Sequence, residues 1–216
     1  MKKKTILTQS VLLLYFISSG QINKGSVLLG GDLWANSIWQ ENNGVKFKSS
    51  GFGFSPLAGK AIKDNLVLGG FLGIGVSDND GVNGNNENHE KSYTAGMFMR
   101  KYGVIKNNFY GFIQGNTGFS YSKYEYIQFN GISVENKRTA VQASLSPGLS
   151  YKVSRKLHLE AGLREIASLG YSRDKKDYYG QGVINSSKTS SVFMSTSLNN
   201  FSSNLYFGFR LLLDKK

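Results

Sequence analysis

Apolar and polar residues alternate along most of this chain, and the clearest case is near its C-terminal end. Leu205, Phe207, Phe209, Leu211 and Leu213 occupy every second position. Tyr206, Gly208 and Arg210 lie between them, and Leu212 is the one exception. Side chains alternate across a strand, so this segment has one apolar and one mixed face. It does not offer the i, i+3, i+4, i+7 spacing of a helix. So apolar a strand would be a hazard as an open edge, which predicts that it closes a barrel against the first strand.

The pattern recurs in four units. Val27-Leu28-Leu29-Gly30-Gly31 resembles Leu66-Val67-Leu68-Gly69-Gly70, and Phe109 and Leu157 open similar runs. These starts lie roughly forty to fifty residues apart, enough for two strands and a loop. The first unit rises through 27–36, turns at Asn42-Asn43-Gly44 and returns through 45–61. The second rises through 66–76, with a long polar loop over 78–88 and a return through Tyr93, Ala95, Met97 and Met99. The third rises from Phe109 and runs on through Tyr124 and Tyr126 as an extended arm around Phe129-Asn130-Gly131-Ile132. It returns with Thr139, Val141, Ala143, Leu145, Leu149 and Tyr151 on one side. The fourth rises through Leu157, Leu159, Ala161 and Leu163 to a loop over 172–188, and its return breaks phase over 198–203. Lys63-Asp64-Asn65, Lys106-Asn107-Asn108 and Ser154-Arg155-Lys156 make short turns between units. The fold class is therefore all-β: an eight-stranded antiparallel up-and-down transmembrane β-barrel with short periplasmic turns and long extracellular loops.

The first residues point the same way. Met1-Lys2-Lys3-Lys4, an apolar run to Ile17 and Ser18-Ser19-Gly20 have the order of a secretory signal. Residues 1–20 are expected to be cleaved, leaving 21–216 as the barrel domain. Mean hydropathy is −0.28, which is compatible with a membrane barrel because alternating strands cancel in the average. The absence of cysteine excludes disulfides and thiolate chemistry. The net charge of +12 fits a solvated basic surface, or anionic partners such as lipid head groups or polyphosphates.

Alternation alone does not say which face points outward. The polar face, rich in Gly, Ser, Asn and Gln, suits a narrow lumen. Asp32, Glu160, Arg164 and Arg210 fall on it, and are expected to form a lumen charge cluster. An arginine or lysine on the lipid face would cost about 2–4 kcal/mol at mid-depth. Glu165 falls in the apolar phase and demands either a bulge or an early exit from the membrane there. Pro56 and Pro147 lack a ladder donor and are expected near the periplasmic rim.

With the repeated strand openings, the leader and the closing Leu205–Leu211 strand in hand, the mature chain resembles the small outer-membrane barrels of the outer-membrane protein A and outer-membrane protein X type. The resemblance implies the cell outer membrane, a side-chain-filled lumen, a monomer, and a structural or surface-interaction role. It also implies two kinds of partner: outer-membrane lipids including lipopolysaccharide, and the barrel-assembly machinery during insertion. Nucleic acid is not expected, nor any cofactor. The cationic fourth loop, with Arg173, Lys175, Lys176, Tyr178 and Tyr179, is the expected contact surface. Enzymatic activity is not expected. The alternatives are an outer-membrane lipid-modifying enzyme using His89 and Ser92, and a secreted soluble barrel holding an apolar ligand. Asp78, Asp80 and Glu87 fail the EF-hand spacing.

Overall fold

The computed structural model describes residues 22–42, 45–80, 87–127, 133–179, 183–196 and 204–213. The expected signal segment, the Asn43-Gly44 and Phe129–Ile132 turns and the 198–203 irregularity lie outside the described residues.

Ten strand segments form one antiparallel sheet. They are β1 (Val27–Asn42), β2 (Val45–Lys63), β3 (Leu66–Asp80), β4 (Glu87–Lys106), β5 (Phe109–Ile127), β6 (Ser133–Lys152), β7 (Leu157–Leu163), β8 (Ala167–Tyr179), β9 (Val183–Thr196) and β10 (Leu205–Leu213). The order β5-β4-β3-β2-β1-β10-β7-β6 closes on itself through β5–β6, a ring of eight. The expected closure is present: Val27 to Leu33 of β1 pair with Leu213 to Phe207 of β10. Asn65 and Asn107 take positive φ in the tight turns between units, a geometry that asparagine tolerates. These turns mark the periplasmic end.

One strand of the ring is split among the described residues. The fourth rising strand breaks at Arg164-Glu165-Ile166, where Glu165 has φ 47°. β6 pairs with β7 through Gly148–Lys152 and with β8 through Ser133–Leu145. Ser146 and Pro147 fall in the interval between. There the missing Pro147 N–H costs nothing on that side, although Pro147 stays in register with Ile113 on the other. Pro56 is similar: Ser55 and Pro56 interrupt the ladder from β2 to β3. Both prolines thus lie inside strands at ladder gaps, and the rim placement expected from sequence is corrected.

The upper part of the wall differs from the lower. The β1–β10 ladder stops at Leu33–Phe207, while β9 pairs only with β8 among the described residues. A seam therefore separates the upper half of β1 from β9. The strands are also longer than the alternating pattern predicts. Residues 172–179, expected as loop, belong to β8, and Asp78–Asp80 and Glu87–Asn88 belong to β3 and β4. Beyond the lipid a strand needs no apolar face, so paired polar strands resemble loops in sequence.

Exposure settles the orientation of the wall. Leu72, Ile74, Met97, Phe119 and Phe207 are half or more exposed, while Arg100 and Arg210 are fully buried. The greasy face looks outward and the polar face inward, the inverse of a soluble barrel. Leu212, out of phase in the sequence, is buried in an apolar floor with Ile22, Leu28, Leu57 and Val67. The segment before β1 closes that floor. The Ile22 N–H donates to Asn65 Oδ1 (3.2 Å), and the Asn65 N–H donates to the Ile22 carbonyl (2.9 Å).

Candidate functional site

The alternation that sends Tyr93, Met97 and Met99 outward sends Phe98, Arg100 and Tyr102 of β4 into the lumen. β7 delivers His158 and Glu160, β10 delivers Arg210, and β1 delivers Asp32. Above the apolar floor Arg100, Glu160 and Arg210 are buried in a charge network that Asp32, itself only partly buried, completes. Arg100 Nη1 donates to Glu160 Oε2 (2.6 Å) and to Tyr102 OH (2.9 Å), and Arg100 Nε donates to Gln114 Oε1 (2.6 Å). Tyr102 OH donates to Glu160 Oε1 (2.9 Å). The Arg100 guanidinium also lies 4.3 Å from the Phe112 ring centroid.

Arg210 completes the network. Its Nε makes an ion-pair contact with Glu160 Oε2 at 3.1 Å, out of hydrogen-bond alignment. Its Nη1 donates to the carbonyls of Gly31 and Phe209 (both 2.9 Å), and its Nη2 pairs with Asp32. Two arginines thus meet two carboxylates, so the plug is electrically balanced. Buried charge is tolerable only on that condition.

A second polar layer lies above the plug. Gln114 Nε2 donates to Asn116 Oδ1 (2.6 Å), whose Nδ2 reaches the hydroxyls of Ser144 and Ser146 (both 3.4 Å). Gln142 Nε2 donates to Glu165 Oε1 (2.7 Å), so the bulge turns Glu165 toward the lumen. Arg164 stacks between Trp34 and Tyr206, 5.8 and 5.7 Å from their ring centroids. Gln114, Asn116, Gln142, Arg164, Glu165 and Tyr206 are among the groups that line a cavity of about 100 Å³.

Of the four lumen charges read from sequence, Asp32, Glu160 and Arg210 meet directly, while Arg164 sits above them on the aromatic rings. Gln114 lies on the polar face expected for its strand, whereas sequence reasoning does not pick out Arg100 and Tyr102. The phase of β4 carried the signal for Arg100, since it alternates with the outward Met97 and Met99. Arg173, Lys175, Lys176, Tyr178 and Tyr179 do not form a loop surface: all five sit on β8, paired with β6 and β9.

The structure does not bring His89 and Ser92 together. His89 and Ser92 are three apart on β4 and therefore face opposite sides of the wall. His89 Nδ1 pairs with Asp78 Oδ1 (2.6 Å), and the Ser92 hydroxyl donates inward to the Gly75 carbonyl (3.4 Å). Ser150 Oγ does contact His158 Nδ1 (3.2 Å), but both residues are buried in the lumen. Among the described residues no group of three or more His, Asp or Glu could hold a metal ion.

The autotransporter beta-domain family profile matches residues 33–164, more than half of the chain. The chain belongs to the autotransporter beta-domain family. No curated protein matches it. Similar solved structures include Neisserial surface protein A, at 14% identity over 87% of this chain and 97% of that one (TM-score 0.40). The outer membrane protein OprG from Pseudomonas aeruginosa matches at 13% identity over 91% and 100% (TM-score 0.46). The translocator domain of autotransporter NalP from Neisseria meningitidis matches at 11% identity over 97% and 93% (TM-score 0.41). The inverted wall and the beta-domain match together make this chain an outer-membrane β-barrel.

Proposed function

We propose that this beta-domain protein is a sealed envelope barrel with a structural or surface-interaction role. It would be built like the outer-membrane protein A and X type, and presents its strand extensions outside the cell. The single observation that supports this reading is the Arg100–Glu160–Arg210 plug. It fills the periplasmic half of the lumen with buried, mutually bonded side chains. An eight-stranded barrel is just wide enough for side chains to fill, so no aqueous path is needed to hydrate them. We assign it no catalytic activity and no cofactor, and we place it as a monomer in the lipid.

Membership of an autotransporter family favours a second reading, a conduit for an attached or separate polypeptide. That reading requires the plug to leave the lumen. Planar-bilayer recording separates the two. A sealed barrel gives no sustained conductance steps, and Glu160→Ala gains them. Steady conductance in the unaltered protein would overturn the sealed reading.

A further inference from the structure

Register across the upper wall produces an unusual row. Lys91 of β4 is directly opposite Lys123 of β5, and Lys123 is opposite Lys137 of β6. Lys137 is opposite Lys175 of β8, and Lys175 is opposite Lys188 of β9. Five lysines thus stand side by side on five neighbouring strands. All five share the outward phase of the wall with Tyr93, Phe119, Val141, Tyr171 and Val192. Those residues form the exposed apolar belt beneath. At about 4.8 Å per strand the row spans roughly 19 Å of the circumference.

Like charges placed directly opposite one another destabilise a sheet, so the row is not a stability device. Carboxylates one step nearer the strand tips offset it only in part. Lys123 Nζ contacts Glu125 Oε1 and Glu135 Oε2, each at 2.7 Å. Lys175 Nζ contacts Asp177 Oδ2 at 2.7 Å, and Lys137 also pairs with Glu135. Among the described side chains three carboxylates contact the row, a fourth, Asp78 on β3, pairs with His89, and Arg173 adds a cation one step nearer the belt. The lysines in the middle of the row remain more than a third exposed. The surplus positive charge therefore stands at the upper edge of the apolar belt, where lipid head groups begin.

We propose that this row binds the phosphates of a phosphorylated glycolipid in the outer leaflet, with its acyl chains lying on the belt below. Charge complementarity and height together select this occupant. A free phosphate would gain nothing from the belt, and a neutral lipid nothing from the row.

The test uses the detergent-purified, folded full chain. Native mass spectrometry compares binding of bisphosphorylated lipid A with chemically dephosphorylated lipid A, with inorganic phosphate as competitor. The unaltered protein should retain the phosphorylated lipid preferentially, and inorganic phosphate should not displace it. Lys123→Gln/Lys137→Gln/Lys175→Gln should weaken that binding by roughly tenfold or more without changing binding of the dephosphorylated lipid. Should the triple variant not fold, Lys91→Gln/Lys188→Gln at the ends of the row gives a smaller loss in the same direction. Lys101→Gln/Lys106→Gln, near the periplasmic turns, should change nothing. Equal retention of both lipids, displacement by inorganic phosphate, or lysine-row variants that bind like the parent would overturn the proposal.

Discussion

Arg100 and Glu160 are 60 residues apart in sequence and three strands apart around the ring, yet their side chains meet at 2.6 Å inside the lumen. Glu160 also accepts from Tyr102 and contacts Arg210, so one carboxylate holds four strand segments to a common centre: β4, β7, β10 and, through Asp32, β1.

Glu160→Gln should therefore be far more damaging than a neutral swap suggests. It leaves two buried guanidiniums facing a single remaining carboxylate. Removing one partner of a buried ion pair typically costs about 3–5 kcal/mol. Urea titration of the folded fraction in lipid vesicles, read by heat-dependent gel mobility, should show a correspondingly lower midpoint. A midpoint like that of the parent would mean that the plug contributes no stability.

The lipid-facing and lumen-facing sides should differ in what they tolerate. Leu72→Arg places a cation on an outward position that is 62% exposed, and should cost about 2–4 kcal/mol if it lies near mid-membrane. Ser144→Ala, on the lumen wall, removes only one weak 3.4 Å contact and should fold normally. Vesicle-insertion yields for the two variants check both statements.

Closure at β1–β10 depends on a residue without a side chain. A Cβ on Gly30 would lie 2.2 Å from the Phe209 carbonyl oxygen and 2.7 Å from Arg210 Cδ. Gly30→Val should block this ladder and abolish the gel shift that marks a closed barrel. Gly111, whose Cβ would meet nothing nearer than 3.5 Å, should tolerate alanine.

The seam predicts uneven backbone protection. Amides of β6, paired on both sides along most of its length, should exchange slowly. Those of β9 that point away from β8 should exchange fast. Hydrogen exchange in detergent micelles tests this. Uniform protection across β9 would mean that its outer edge is paired.

Acid should loosen the upper wall before the plug. Hydrogen bonds from Lys123 and then Lys137 hold the Glu135 carboxyl below the ordinary range, and Lys175 does the same for Asp177. A carboxylate whose folded value is depressed stabilises the fold above its unfolded value, and loses that contribution as pH falls through the folded one. Pepsin should accordingly cut within the β5–β6 and β8–β9 extensions increasingly as pH drops toward about 3, while the gel shift of the barrel persists.

Much of this architecture was legible in the chain alone. A period of two fixed the all-β class, and the short asparagine turns fixed the pairing of successive strands. The phase of Asp32, Glu160 and Arg210 put them on one face, and the misfit of Glu165 marked an irregularity that the structure resolves as the break between β7 and β8. These are local properties, carried by the alternation of neighbouring side chains. Alternation by itself does not say which face is inside, but the make-up of the polar phase put that face toward the lumen, and the closed ring bears this out by burying Arg100 and Arg210 and exposing Leu72 and Phe207. Tertiary structure alone joined Arg100 to Glu160, turned the expected fourth loop into strand, and brought five lysines from five strands into one row. Each depends on register between distant segments, which no local pattern encodes. Hydrogen bonds along the ladders set that register, and the need to balance buried charge helps to hold it.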